Sequence, residues 1–205
     1  MFLDSLAKTV GLSLAAGLLA TVLGCAGALL RVWGPAQAGK MVGAVACLFR
    51  NTPLLVQLYL FYRGLHSVGI VWPAEVCGVV GLGLYTGAYL TETFRTVFLS
   101  VPRQQVDAAL SLGMGRLAAF RWVLLPQALP ALGPPLANQW VSLSKNSALL
   151  AFITVEEVFH FVYKGAVDAF QPLPYFTVGI VTYLGLGLLI GHGVRQMCRR
   201  RWHGG

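Results

Sequence analysis

Charge is what this chain has least of. Only 11% of its 205 residues are Asp, Glu, Lys or Arg, against about 25% in soluble domains, while 57% are hydrophobic. Such a balance excludes an ordinary water-soluble domain and points to a membrane protein. Motifs of chemistry are missing as well. Cys25, Cys47, Cys77 and Cys198 form no C-x-x-C pair, and the first three fall in apolar runs, so they read as small buried hydrophobes with no disulfide or metal framework. His66, His160, His192 and His203 are scattered and lack a ligand spacing such as H-E-x-x-H, and there is no G-x-S-x-G elbow. Nothing in the chain points to catalytic residues or a metal. One near match fails instructively: "GPAQAGKM", Gly34 to Met41, fits G-x-x-x-x-G-K but offers Met41 where a P-loop needs Ser or Thr. It reads as a cytoplasmic turn, so the chain is not expected to hydrolyse ATP.

Long apolar runs are what the chain does have. Five segments approach or exceed the roughly 20 residues that cross a bilayer, at about 9–30, 41–62, 76–99, 132–155 and 175–194. The first and last contain no charged residue; the second carries Arg50, the third Glu92 and Arg95, and the fourth Lys145. None shows a sustained two-residue alternation, so the spans are helices and not barrel strands. The expected fold is an all-α polytopic membrane bundle of five transmembrane helices, one transmembrane domain over residues 1–205. The first run is too long for the apolar part of a cleaved signal and has no basic stretch before it, so it is expected to stay. Orientation follows from Lys and Arg. Arg31, Lys40, Arg103, Arg116, Arg121, Arg195, Arg199, Arg200 and Arg201 collect on one side, against Lys8, Arg63 and Lys164 on the other. This places the N-terminus outside and the C-terminus in the cytoplasm. The net charge of +8 is therefore an inner rim suited to anionic lipid headgroups, as in "RQMCRRRWHGG", with no nucleic-acid partner expected. Gly83, Gly87 and Ala88 within the third run are expected to let helices approach closely.

Polar groups inside a bilayer are costly, so their arrangement is informative. In "ANQWVSLSKNSALL", Asn138, Gln139, Ser142, Lys145 and Asn146 share one side of a helix. The stripe is either a structural interface, with Lys145 paired to a carboxylate such as Glu92, or the lining of a path for an anionic or zwitterionic solute. Arg50, Asn51 and Pro53 form a second interruption, at which Pro53 removes a backbone donor. Arg50 is there either as a path residue or as the cytoplasmic end of an off-centre span.

The segment at about 100–131 is cytoplasmic by charge. Ser100 and Pro102 suit a helix start. Val106, Ala109, Leu110 and Gly113 follow helical spacing, Gly113 and Gly115 allow a turn, and a second short helix is expected from Arg116 until Pro126. Helices this short need something to pack against, so the segment is expected to dock on a partner, with Asp107 and Arg116 fixing its orientation.

These residues carry a resemblance. "DAALSLGMGRLAAFRWVLLP" resembles the EAA loop of ABC importer permeases, whose pattern is E-A-A, three residues, G, nine residues, I, any residue, L-P. Asp107, Ala108, Ala109, Gly113, Val123, Leu125 and Pro126 occupy those positions, with Asp for Glu and Val for Ile. "FRNTPLLVQLYLFYRGL", "YTGAYLTETFRTVFLSVPRQQ" and "SLSKNSALLAFITVEEV" are similar to the polar amino acid branch of that family, and the likeness covers almost the whole chain. Membership implies a type I importer of the inner membrane: two permease subunits, alike or different, two cytoplasmic ATPases that use ATP and Mg, and an extracytoplasmic solute-binding protein docking on outer loops at about 63–75 and 156–174. The permease itself would bind no cofactor. Asp107, Ala108, Ala109, Gly113, Leu125 and Pro126 would receive the ATPase movement, and Asn138, Gln139, Ser142, Lys145, Asn146, Arg50 and Asn51 would line the path. "RNTP", "KNSA" and Gln139 are closer to permeases for acidic amino acids and their amides than to those for basic ones. The alternative is a membrane scaffold or regulatory subunit that docks an ATPase and moves nothing; the polar stripe argues against it. A secondary carrier would show duplicated halves and coupling carboxylates in its spans; there is no internal repeat, and the seven acids lie mostly at span ends or in loops.

Overall fold

The computed structural model describes residues 1–200. Arg201 to Gly205, with His203, lie outside the described residues, as do the side chains of Arg199 and Arg200, so most of the basic tail expected at lipid headgroups falls beyond them. Among the described residues all regular structure is helical. The long elements are α1 (Phe2–Trp33), α2 (Ala36–Arg50), α5 (Ala74–Ser100), α8 (Leu125–Asn146) and α10 (Pro172–Arg200), with the short helices α3 (Leu54–Tyr59), α4 (Leu65–Ser67), α6 (Arg103–Ser111), α7 (Arg116–Ala119) and α9 (Val158–Asp168) between them. By length and apolarity alone α1 and α10 can each cross a membrane, and α2 with the α3–α4 segment makes a third candidate if the bent pair is one span.

Small residues organise the centre. Ala16, Gly17, Ala20, Gly24, Gly27 and Ala28 make one buried face of α1. It lies along Gly83, Gly87, Ala88, Leu90 and Thr91 of α5, as the sequence leads one to expect. The approach is close: a Cβ on Gly24 would sit 2.5 Å from Leu90 Cβ, and one on Gly83 would sit 2.6 Å from Leu19 Cδ2. Leu19 meets Gly83, Gly24 meets Leu90 and Gly27 meets Thr91, so α1 and α5 run parallel. Along α8 the order reverses, because Gly133 meets Cys198 of α10 and Val141 meets Gly187. Apolar side chains fill the space between: Leu58, Leu82, Leu90, Leu143, Leu150 and Ile153 are almost wholly buried, and Phe94, Phe98 and Phe120 stack edge and face near the α5 end. Outward, α10 presents Ile180, Val181, Leu184, Leu188 and Leu189, an apolar face for lipid or a partner helix.

Three expectations need correction. The run at 41–62 is not one straight helix: α2 stops at Arg50 and the chain resumes at Leu54 after a bend of 102°. Pro53 is the N-cap of α3, where its missing N–H costs nothing, and the carbonyls freed at the break are satisfied locally. Gln57 Nε2 donates to Phe49 O at 2.8 Å and Thr52 O at 3.1 Å, while Tyr89 OH donates to Arg50 O at 3.2 Å. Secondly, Pro126 does not stop a helix. The chain stays helical from Arg116 to Asn146, through Pro126, Pro130, Pro134 and Pro135. A wide π turn at Phe120–Leu124 precedes Pro126, with Leu125 N–H reaching Phe120 O, and so relaxes the backbone where the ring would otherwise crowd it. At the other end, the run at 132–155 leaves α-helix at Asn146 and tightens into a 3-10 helix, Ser147–Ile153, closed by Thr154 at φ 69°. Thirdly, the outer loop at 156–174 contains a helix: Val158, Val162 and Ala166, four residues apart, bury one face of α9.

Candidate functional site

The segment at about 100–131 begins with a departure from expectation. Ser100 is the last residue of α5, its hydroxyl donating back to Val97 O, and Pro102 is the N-cap of α6. Gly113 takes φ 85°, a backbone conformation that glycine adopts without strain, and reverses the chain between α6 and α7. Gly115 is at φ −67° as the N-cap of α7, so its conformation does not require glycine. Val106 and Ala109, expected on the docking face, instead point into the bundle and are nearly closed to solvent. Val106 lines a concavity with Trp33, Phe98, Val101, Ala119 and Leu124, whose rim Asp107 and Leu110 also border. Arg116 Nη1 donates to Trp33 O at 3.1 Å, which fastens α7 to the end of α1. The outward face of α6 is therefore Asp107, Ala108, Leu110 and Leu112, continued by Gly113, Leu117 and Trp122, all exposed. Leu125 is half-buried and Pro126 exposed at the start of α8.

The polar stripe of α8 spreads more widely than one wall. Successive residues turn about 100°, so Asn138, Ser142 and Lys145 cluster while Gln139 and Asn146 lie well round the helix. Asn138 and Lys145 line a groove of about 640 Å³ between α8, α9 and α10, with Phe159, Val162, Tyr183 and Arg195 among its other walls. Gln139, Ser142 and Asn146 are half-buried and do not line it. Between them Trp140 Nε1 donates to Thr21 Oγ1 at 3.1 Å, fixing the rotation of α8 against α1. Lys145 is exposed, and among the described residues no carboxylate lies within 4 Å of it. Glu92, considered as its partner, is taken by arginines: Arg31 Nη1 donates to Glu92 Oε1, with Arg50 Nη2 at 3.5 Å and Arg95 Nη1 at 3.9 Å. Arg50 thus belongs with Glu92 and stands at the helix break, while Asn51 is exposed and donates to Cys47 O at 2.9 Å.

One polar group went unnoticed in the sequence. Glu157, the N-cap of α9, is wholly buried. Tyr183 OH donates to its Oε2 at 2.5 Å, Thr9 Oγ1 at 3.4 Å and the His160 N–H to Oε1 at 2.9 Å, so one carboxylate joins α1, α9 and α10. Its available signal was the spacing of Val158, Val162 and Ala166, which implies a helix needing a cap at 157.

A folded bundle with a broken second helix, an exposed short helix α6 and polar groups within its apolar runs narrows the choice of relatives. Residues 20–201 match the family described as binding-protein-dependent transport system inner membrane component. The chain belongs to this family. It is 34% identical over 151 residues to the octopine transport system permease protein of Rhizobium radiobacter, covering 69% of this chain and 62% of that protein. Its identity to the "Probable glutamine ABC transporter permease protein" of Bacillus subtilis is 32% over 205 residues, 98% of this chain and 93% of that one. The histidine/lysine/arginine/ornithine transport system permease protein of Escherichia coli is 28% identical over 205 residues, covering 95% and 90%. In three dimensions a chain from the crystal structure of an amino acid ABC transporter with histidines superposes with a TM-score of 0.84 at 28% identity, over 97% of this chain and 93% of that chain. The family is thus one of membrane components of transport systems.

Proposed function

We propose that this chain is the permease subunit of an ATP-driven importer of polar amino acids. It crosses the inner membrane five times, with the α2–α3 pair as one bent span, its N-terminus outside and its C-terminus in the cytoplasm. A second permease subunit completes the path, an extracytoplasmic solute-binding protein delivers the amino acid, and a cytoplasmic ABC ATPase dimer supplies the work with ATP and Mg, so this chain needs no cofactor of its own. The match over residues 20–201 carries this reading. The exposed face of α6 supplies its mechanical part: Val106 and Ala109 seat the helix on the bundle, leaving Asp107, Ala108 and Gly113 free to sit in a cleft of the ATPase. A seated helix moves with its bundle, so closure of the ATPase dimer is passed to α5 and α8 as a rigid displacement. The turn at Gly113, with Leu125 and Pro126 beyond it, links the two.

Ala108→Trp tests the docking face, because it adds bulk outward without entering the bundle. It is expected to abolish co-purification with the ATPase while the chain unfolds at the wild-type temperature; undiminished co-purification defeats the assignment. Ala109→Trp does not make the same test, since Ala109 is buried and its enlargement disturbs the fold.

For the solute, acidic amino acids and their amides are the proposed class, with Lys145, Arg50 and the amides of Asn51, Asn138, Gln139 and Asn146 offering donors to carboxylate or carboxamide along with the Ser142 hydroxyl. The motifs "RNTP" and "KNSA" and the glutamine relative favour it; the permease for basic amino acids is a relative too, so the side chain carried is decided by measurement. Thermal unfolding of the cognate solute-binding protein with each amino acid makes that decision. A rise with glutamate, aspartate, glutamine or asparagine supports the class, whereas a rise with only histidine, lysine and arginine overturns it.

A further inference from the structure

Three arginines from three helices meet one carboxylate among the apolar runs. Glu92 of α5 accepts from Arg31 of α1, with Arg50 at the end of α2 3.5 Å away and Arg95, one turn on, 3.9 Å away. Three positive charges against one negative leave a surplus of two, and among the described residues no second carboxylate lies within 4 Å of these guanidinium groups. Surplus charge in a region of low dielectric is costly unless a counter-charge completes it. The three arginines are not equivalent. Arg31 is the most enclosed, with 18% of its side chain exposed, and packs beside Gly43 of α2; Arg50 and Arg95 are 30% and 36% exposed and open to a ligand. Their contacts to Glu92 are also the looser ones.

We infer that Arg50 and Arg95 form an anion site for a free carboxylate group, with Glu92 as the resident counter-ion that the ligand displaces. This deepens the importer reading and rests on it: the ligand is the main-chain carboxylate common to amino acid solutes. A guanidinium presents paired N–H donors that match the two oxygens of a carboxylate, which a lysine at this place would not. On arrival the ligand takes the Nη atoms of Arg50, and Glu92 keeps Arg31. Arg50 is the last residue of α2, its carbonyl held by Tyr89 and its side chain by Glu92. Releasing the side chain leaves the 102° break to the bonds that Tyr89 makes to Arg50 O and Gln57 makes to Phe49 O and Thr52 O, so occupancy alters the restraint on the bend.

The test uses the full chain in nanodiscs of neutral phosphatidylcholine, with thermal unfolding followed against glycine, L-glutamine and L-arginine and against their α-carboxamides, which lack the carboxylate. Carboxylates are expected to stabilise the chain and carboxamides are not. Arg50→Gln and Arg95→Gln each weaken the apparent affinity about tenfold or more, Arg50→Lys less than Arg50→Gln, and Glu92→Gln strengthens it by removing the competitor. Equal response to carboxamides overturns the site. So does a Glu92→Gln variant that loses affinity together with the arginine variants, the signature of a purely structural ion cluster. Stabilisation that follows added phosphatidylglycerol and ignores amino acids assigns the cluster to a lipid phosphate and also overturns it. Uptake by the assembled transporter separates the two readings. Carboxylate binding without uptake removes the importer function and keeps the site, while wild-type concentration dependence in Arg50→Gln and Arg95→Gln removes the site and keeps the importer.

Discussion

At the scale of single residues, Glu157 shows how a charged group can be placed for architecture. It has no exposed surface, yet three donors from α1, α9 and α10 converge on it, and Thr9 Oγ1 accepts in turn from the Val158 N–H at 3.0 Å. Glu157→Ala leaves a half-buried tyrosine hydroxyl and the first turn of α9 without their acceptor, while Thr9 Oγ1 keeps Ser5 O at 3.0 Å. The expected loss is about 3 kcal/mol, since deleting one partner exposes the desolvation cost of the others. Glu157→Gln, which keeps an acceptor oxygen, should recover part of it. Thermal unfolding of the purified chain in detergent checks both; an unfolding temperature unchanged by Glu157→Ala shows that those donors find other partners. Arg50, by contrast, was visible in the sequence as an interruption, but its partner was not. Glu92 is 42 residues away along the chain, and only the parallel packing of α1 and α5 with α2 across them brings three arginines to it. Sequence spacing ranks the ionisable groups of a span; it does not say which of them meet.

Among the elements, those whose signal is local agree closely with expectation. The third run, expected at 76–99, is α5 from Ala74 to Ser100, and Gly113 makes the turn that its position after a short helix suggests. Elements misjudged are those whose helical state depends on neighbours. A proline in water ends a helix, but a helix in an apolar bundle keeps going because its unbonded carbonyls find other donors or a widened turn. That is why Pro126 was expected to stop a helix and does not. A measurable consequence follows. Pro126, Pro130, Pro134 and Pro135 each remove a donor from the ladder of α8, so its first half has fewer hydrogen bonds per turn than α5. Amides between Leu125 and Leu136 are expected to exchange hydrogen faster than those between Leu82 and Phe94, and Pro130→Ala with Pro134→Ala should slow them by restoring two donors. Equal exchange in the two helices of the wild-type chain means that neighbouring elements brace α8 fully. The tie from Trp140 to Thr21 anchors its other half, so flexion belongs to the part nearest α6 and α7.

For the whole molecule, packing order constrains topology independently of charge. With α1, α5 and α10 parallel and α8 opposed, the proposed five-span topology, in which the bent pair of α2 and the α3–α4 segment returns the chain to the starting side before α5, reads as down, up, down, up, down. Parity then requires the two termini on opposite sides, and it requires α6 and α7 to lie on the same side as the C-terminal end of α10. Lysine and arginine choose between the two remaining orientations: Lys40, Arg103, Arg116, Arg121 and Arg195 fall on the α6 side, against Lys8, Arg63 and Lys164 opposite. Cytoplasmic placement of that basic side is the orientation favoured during insertion. Single cysteines at Asp4, Leu112 and Gln196, in a chain whose Cys25, Cys47, Cys77 and Cys198 are replaced, test it with a membrane-impermeant maleimide. All three sites are exposed. On intact cells only Asp4→Cys should react, and Leu112→Cys and Gln196→Cys should react once the membrane is opened. If Asp4 and Gln196 label from the same side, the bent pair does not cross and the chain spans the membrane an even number of times. If the pattern is complete but inverted, the helix order stands, but α6 faces away from ATP and the proposed docking of an ATPase on Asp107 and Ala108 is lost.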